Sequence, residues 1–125
     1  MRLTATAQIT LSEHGILIVR IHPGAQQTPA DALENLAATM SIASGQRRPL
    51  LVDITGSPPL DAETRHLYSG KSLVSAFTAL ALLVEGSPLG PMMGNVYLRV
   101  ARPGIPTRVF TNAARAHEWL TGYLL

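Results

Sequence analysis

Apolar and polar residues alternate at the start of the chain: Leu3, Ala5, Ala7, Ile9 and Leu11 point one way, and Thr4, Thr6, Gln8 and Thr10 the other. A period of two predicts a strand over residues 3–11 with one wet face. Glu13-His14-Gly15 reads as a turn, and Ile16 to Ile21 as a second, mostly apolar strand, so the chain opens with a β-hairpin. Pro23-Gly24 ends it. Thr28-Pro29 predicts a helix start, because threonine caps well and proline at the first helical position loses only an amide that had no partner. Asp31 sits in the first turn, where the helix dipole favours an anion. Leu33, Leu36, Ala37 and Met40 then fall on one face, and Gly45 is the expected stop.

The period changes again at Pro49 to Ile54, a short apolar run of the kind found in buried parallel strands. A loop follows, Thr55-Gly56-Ser57-Pro58-Pro59, and Asp61 is placed to cap a helix running to about Val74, with Leu67, Tyr68 and Val74 inside. Ala79 to Val84 is the most hydrophobic strand and is expected at the centre of the sheet. From Pro91, residues Met93, Val96, Tyr97 and Val100 repeat at helical spacing and predict a third helix. Thr107 to Phe110 is a short last strand. Thr111 or Asn112 caps a final helix with Ala116, Trp119, Leu120, Tyr123 and Leu124 on one face. The order is β-β-α-β-α-β-α-β-α. It predicts an α/β fold with a five-stranded mixed sheet, the N-terminal strand antiparallel and four parallel, with four helices.

Composition narrows the class. The chain has 125 residues, one domain's worth, and no repeat or linker divides it, so 1–125 is expected to be a single domain. It lacks cysteine, which excludes disulfides, thiolate metal sites and cysteine nucleophiles. Charged residues make up 14% and the net charge is +2, from nine arginines and one lysine against eight acids. Residues 99–115 hold Arg99, Arg102, Arg108 and Arg115 with no acid among them, but no aromatic residues interleave as single-strand nucleic-acid binders require, so no nucleic-acid partner is expected. The longest apolar run, Ala79 to Val84, is far short of the roughly twenty residues of a membrane span. The N-terminus has no signal-peptide core. Both features predict a cytoplasmic protein with no membrane span.

Candidate chemistry gathers where the parallel strands end, the usual place for ligand sites in such sheets. Thr55 to Leu60, Glu85 to Gly90 and Thr111-Asn112 leave those ends, and each leads to a helix N-terminus. An anion could sit there, although Asp53, Asp61 and Glu85 lie near the same rim and oppose it. The four histidines, His14, His22, His66 and His117, have no ligand spacing, so no metal and no cofactor is expected. No nucleophile–base set, phosphate-cradling loop or dinucleotide fingerprint is present, so no catalytic residue is expected.

Four strings carry a resemblance: Pro49-Leu50-Leu51-Val52-Asp53-Ile54, Ala81-Leu82-Leu83-Val84, Pro106-Thr107-Arg108-Val109-Phe110-Thr111 and Ala116-His117-Glu118-Trp119-Leu120. With the order of elements, they resemble the SpoIIAA-like (STAS-like) family, in an uncharacterised small bacterial branch. The resemblance covers nearly the whole chain. It implies a β-α superhelix with strands in sequential order. It also implies a role as a regulatory partner of anti-sigma kinases or as a module on transporters. That family's switch is an Asp-Ser-Ser-Gly segment opening the second helix. Aligned on Asp61, this chain reads Asp61-Ala62-Glu63-Thr64, with Glu63 at the phosphoacceptor position. A carboxylate carries about one charge where a phosphate carries nearly two, so the serine switch is not expected here.

The expected function is therefore that of a non-enzymatic regulatory or protein-interaction domain. Its expected interaction rim is Asp53, Thr55, Ser57, Asp61, Glu63, Thr64, Ser87 and Thr111. If the crossovers put every helix on one sheet face, the open face needs cover, and a homodimer would supply it. The alternative is a small-molecule or lipid-binding domain of the CRAL-TRIO kind.

Overall fold

A computed structural model describes residues 1–68, 75–86 and 104–124. Six strands form one sheet in strictly sequential order: β1 (Arg2–Leu3), β2 (Ala7–Leu11), β3 (Leu17–Ile21), β4 (Arg48–Asp53), β5 (Phe77–Leu83) and β6 (Thr107–Phe110). β1, β2 and β3 pair antiparallel, and β3 to β6 pair parallel. Three helices lie among the described residues: α1 (Pro29–Ala43), α2 (Ala62–Leu67) and α3 (Ala113–Thr121). The α/β class, the hairpin start and the four parallel strands match the pattern of the sequence.

The strand count does not. The single strand expected over 3–11 is two strands folded on each other, making six rather than five. Thr4 is the cause. Its N–H donates to the Ala7 carbonyl at 2.9 Å, and its hydroxyl accepts from the Ala7 N–H at 3.0 Å. A threonine hydroxyl can close a turn as a backbone group would, and here it outweighs the alternation. Ala79–Val84 is also not central: β5 begins at Phe77 and lies one strand from the edge, although it is the most buried strand. α2 is shorter than expected and ends at Leu67, capped by Tyr68. The helix expected from Pro91, and with it Ser87, lies outside the described residues.

The start of α1 follows its sequence closely. Thr28 is the N-cap, its hydroxyl accepts from Asp31 N at 3.2 Å, and the Asp31 carboxylate accepts from Thr28 N at 2.9 Å, a reciprocal capping box with Pro29 at the first position. The chain leaves the helix through Ser44 and Gly45, both left-handed (φ 57° and 77°). The two positive-φ residues explain why the stop falls where glycine first appears.

Two apolar layers flank the sheet. On one side Ala7, Ile9, Leu17, Val19, Ile21, Leu50, Leu80 and Leu82 meet Ala38 and Ala43 of α1. On the other, Leu51, Ala79, Ala81 and Leu83 meet Ala116 and Leu120 of α3. The condition of every helix on one face is not met, for a topological reason. α1 and α2 link parallel strands, and crossovers of one hand in a sheet built sequentially fall on the same face. α3 follows β6, joins it to no further strand among the described residues, and folds back across the opposite face. It covers β4 to β6 there. Over β1 to β3 no helix among the described residues covers the same face, which is mixed, with Leu3 and Arg20 exposed and Gln8, Thr10 and Ile18 partly covered.

α1 presents the larger departure from its sequence pattern. Its buried residues are Ala32, Asn35, Ala38, Thr39 and Ala43. The apolar stripe Leu33, Leu36, Ala37 and Met40 is turned away from the sheet, with Leu33 56% and Met40 53% exposed and Leu36 half-buried. Alanines let the helix axis come close to the sheet, and the polar pair among them is satisfied in the interior, as described next.

Candidate functional site

Asn35 is 2% exposed and sits at the centre of a buried polar network. Its side-chain N–H₂ donates to Thr6 Oγ1 at 2.9 Å, to Gln27 Oε1 at 3.3 Å and to the Tyr68 hydroxyl at 3.4 Å, while its Oδ1 accepts from the Thr4 hydroxyl. The Tyr68 hydroxyl in turn donates to Gln27 Oε1. The network joins the β1–β2 turn, the approach to α1 and the end of α2. Buried polar groups are stable only when satisfied, and here one amide serves three separate segments.

Burial pushes the Tyr68 hydroxyl up from 10.0 to about 12, the Asp31 charge adds to this, and the Asn35 hydrogen bond works against it. The unfolded chain therefore gives up this proton first as pH rises. Stability associated with Tyr68 is complete below pH 10, falls as pH climbs toward 12, and is then exhausted, a loss on the order of 2–3 kcal/mol. Urea titrations below pH 10 and again near pH 12 check this: Tyr68→Phe is expected to show the smaller drop between the two. Equal drops would remove Tyr68 as the source.

The sequence-predicted rim is partly assembled. Asp53, at the end of β4, accepts from Thr55 N at 3.0 Å, and Thr55 Oγ1 accepts from Glu85 N at 2.9 Å, tying the loop after β4 to the loop after β5. Gly24 N donates to the Gly56 carbonyl at 3.0 Å, and Gly56 (φ 74°) lies so near Pro23 that a Cβ there would stand 3.3 Å from the proline ring. The loop after β3, absent from the expected rim, is thus part of it. Ser57 Oγ is buried with no hydrogen-bond partner among the described residues. Asp61 caps α2, accepting from Thr64 N at 2.7 Å; that bond, and then the Thr64 side chain, hold its carboxyl below the ordinary carboxylate range. Glu63 is exposed in the first turn of α2, and Thr64 is fully buried. No hydrogen bond among the described residues joins Thr111 to this group; it belongs to a separate cleft at the end of β6.

That cleft, of about 480 Å³, is lined by Arg108, Val109, Phe110, Thr111, Asn112 and Arg115. The Arg108 guanidinium lies 5.2 Å from the Phe110 ring centre and 5.9 Å from that of Trp119. Phe110, Trp119 and Tyr123 pack on one another in sequence, at 5.6 and 4.9 Å between centres. The acid-free arginine segment seen in the sequence was the signal for this cleft. The Asn35 network had a fainter signal, two polar residues at core spacing among the alanines of α1. Among the described residues no group of three or more metal-ligating side chains occurs, and no helix is long and apolar enough to cross a membrane.

The model of a domain family of unknown function, DUF7793, matches residues 9–124. The chain belongs to that family. The match runs from β2 to the end of the described chain and so takes in the polar network centre, the rim and the β6 cleft together. A 2.20 Å crystal structure of a protein with unknown function from Arthrobacter sp. FB24 is 27% identical, covering 95% of this chain and 96% of that one, with a TM-score of 0.37. That overlap is too loose to assign a fold. No curated protein matches the chain.

Proposed function

We propose that this DUF7793 domain is a non-enzymatic protein-interaction module of the SpoIIAA-like (STAS-like) type, without a serine switch, and that it docks through the outward stripe of α1. The observation that carries the reading is the orientation of that helix: its apolar stripe turns away from the sheet, with Leu33, Ala37 and Met40 exposed and Leu36 half-buried. Exposed apolar patches of this kind mark contact surfaces. Sequential strand order with four parallel strands supports the family type, and an exposed glutamate, Glu63, at the switch position supports the absence of phosphorylation.

The partner that fits is a second copy. In an antiparallel pairing about a two-fold axis, Leu33 meets the partner's Met40 and Leu36 meets the partner's Ala37, so each large side chain faces one it can pack against. Like charges do not meet. Glu34, the one exposed charge along α1, accepts from Ala5 N at 2.8 Å, and Asp31 is held in the capping box. A single helix stripe buries less than the roughly 1,200 Å² of specific complexes, so the dimer is expected to be weak.

Light scattering from low micromolar to near-millimolar protein tests this. The mass is expected to rise toward a dimer, and Leu33→Glu with Met40→Glu to weaken association by at least about 100-fold with an unchanged melting temperature. A strict monomer over the whole range would defeat the reading.

A further inference from the structure

We propose that the cleft at the end of β6 binds a small dianionic phosphate, free or as a monoester, between Arg108 and Arg115. Both arginines are among the residues that line the cleft, and among the described residues neither side chain has a hydrogen-bond acceptor or an ion-pair partner; the one ion pair among those residues is His14–Glu13. Among the described residues no acid lines the cleft. Of the three acids expected to oppose an anion on this rim, Asp53 accepts from Thr55 N and Asp61 from Thr64 N, while Glu85, exposed after β5, is not among the residues that line the cleft.

Arg108 is also held in place. Its guanidinium carbon lies 5.2 Å from the Phe110 ring centre and 5.9 Å from that of Trp119, within cation–π reach of both rings, which restrains the side chain. An arginine ordered this way loses little further freedom on binding and presents a fork that matches two phosphate oxygens. Asn112 Oδ1 already accepts from Arg115 N at 3.1 Å, so the start of α3 is capped and the arginines, not the helix end, carry the site. Two cations with no acid between them favour a dianion over a single carboxylate. The volume of about 480 Å³ suits a small molecule rather than a polymer. This site lies with α3, across the sheet from the α1 stripe, and stands or falls independently of the docking surface.

Trp119 is the chain's one tryptophan, and the Arg108 guanidinium lies against its ring, so its emission reports the site directly. The full chain is titrated with inorganic phosphate and with glycerol phosphate, against sodium chloride at matched ionic strength, with calorimetry as a second readout. A saturable change is expected with phosphate and not with chloride. Saturation by glycerol phosphate alone assigns a monoester; saturation by both means the phosphate group suffices. Arg108→Gln and Arg115→Gln, both at exposed positions, are each expected to weaken binding about tenfold or more, with unchanged far-UV circular dichroism. Arg108→Lys is expected not to restore binding, since an ammonium neither stacks flat nor forks. A linear response equal to that of chloride, or arginine variants that bind as tightly as the parent, would overturn the proposal.

Discussion

Asn35→Ala is expected to destabilise the fold by about 3 kcal/mol and to lower the melting temperature by roughly 10 °C. The substitution suits a helix and removes little volume, so propensity and cavity terms do not dominate. The loss comes from the groups left behind. Thr6 Oγ1 and Gln27 Oε1 lose a donor, the Thr4 hydroxyl loses its acceptor, and the Tyr68 hydroxyl loses one of its neighbours. Thr6 and Gln27 are 6% and 4% exposed, so water cannot readily replace the amide. Because Tyr68 shares the network, Asn35→Ala and Tyr68→Phe are expected to be non-additive, the double variant losing less than the sum of the singles. Urea denaturation of the four proteins measures this. Strict additivity, with a single-variant loss below about 1 kcal/mol, would mean that the three segments are held by something other than Asn35.

Leu120→Ala is expected to cost about 3–4 kcal/mol. Leu120 is fully buried and, with Ala116, is the part of α3 that reaches the sheet, packing among Ile16, Leu51, Ala79, Ala81 and Leu83. The three alanines in this layer offer little that could move into the space, so the cavity stays. α3 also carries Trp119, which packs on Phe110 and Tyr123 and lies beside Arg108, so its loosening is expected to disturb the aromatic stack as well. Tryptophan emission should then begin to change at lower denaturant than far-UV circular dichroism does. Coincident transitions with a loss under about 1 kcal/mol would show that α3 is pinned by its edges rather than by this side chain.

The two variants probe opposite layers, and the contrast bears on function. On one side of the sheet a polar network sits beside the apolar layer under α1, and that helix's apolar stripe faces outward. The other side is organised around an apolar helix whose margin orders an arginine. A partner of α1 and a ligand of the β6 cleft would therefore act on one sheet from its two faces, through groups that share no side chain.

Much of this was legible along the chain. Thr28 and Asp61 were legible as caps, and Asn112 as one of two candidates, because each bonds to a group three residues away; Asp31 was legible only as a first-turn acid. Asp53 bonds only two residues on. The parallel strands show in the same way, since apolar runs between glycine and proline leave few other structures. What could not be read are choices between distant partners. Thr55 meets Glu85 thirty residues later, and Thr4 meets Asn35 thirty-one later. Periodicity shows that α1 has an apolar stripe, but not that the stripe faces away. That depends on whether the opposite side can satisfy Asn35 and bring its alanines close to the sheet. Likewise the sequence determines that α3 is amphipathic, while its choice of face belongs to the tertiary structure, because a helix that joins no two of the described strands is free of the rule of handedness that places the other two.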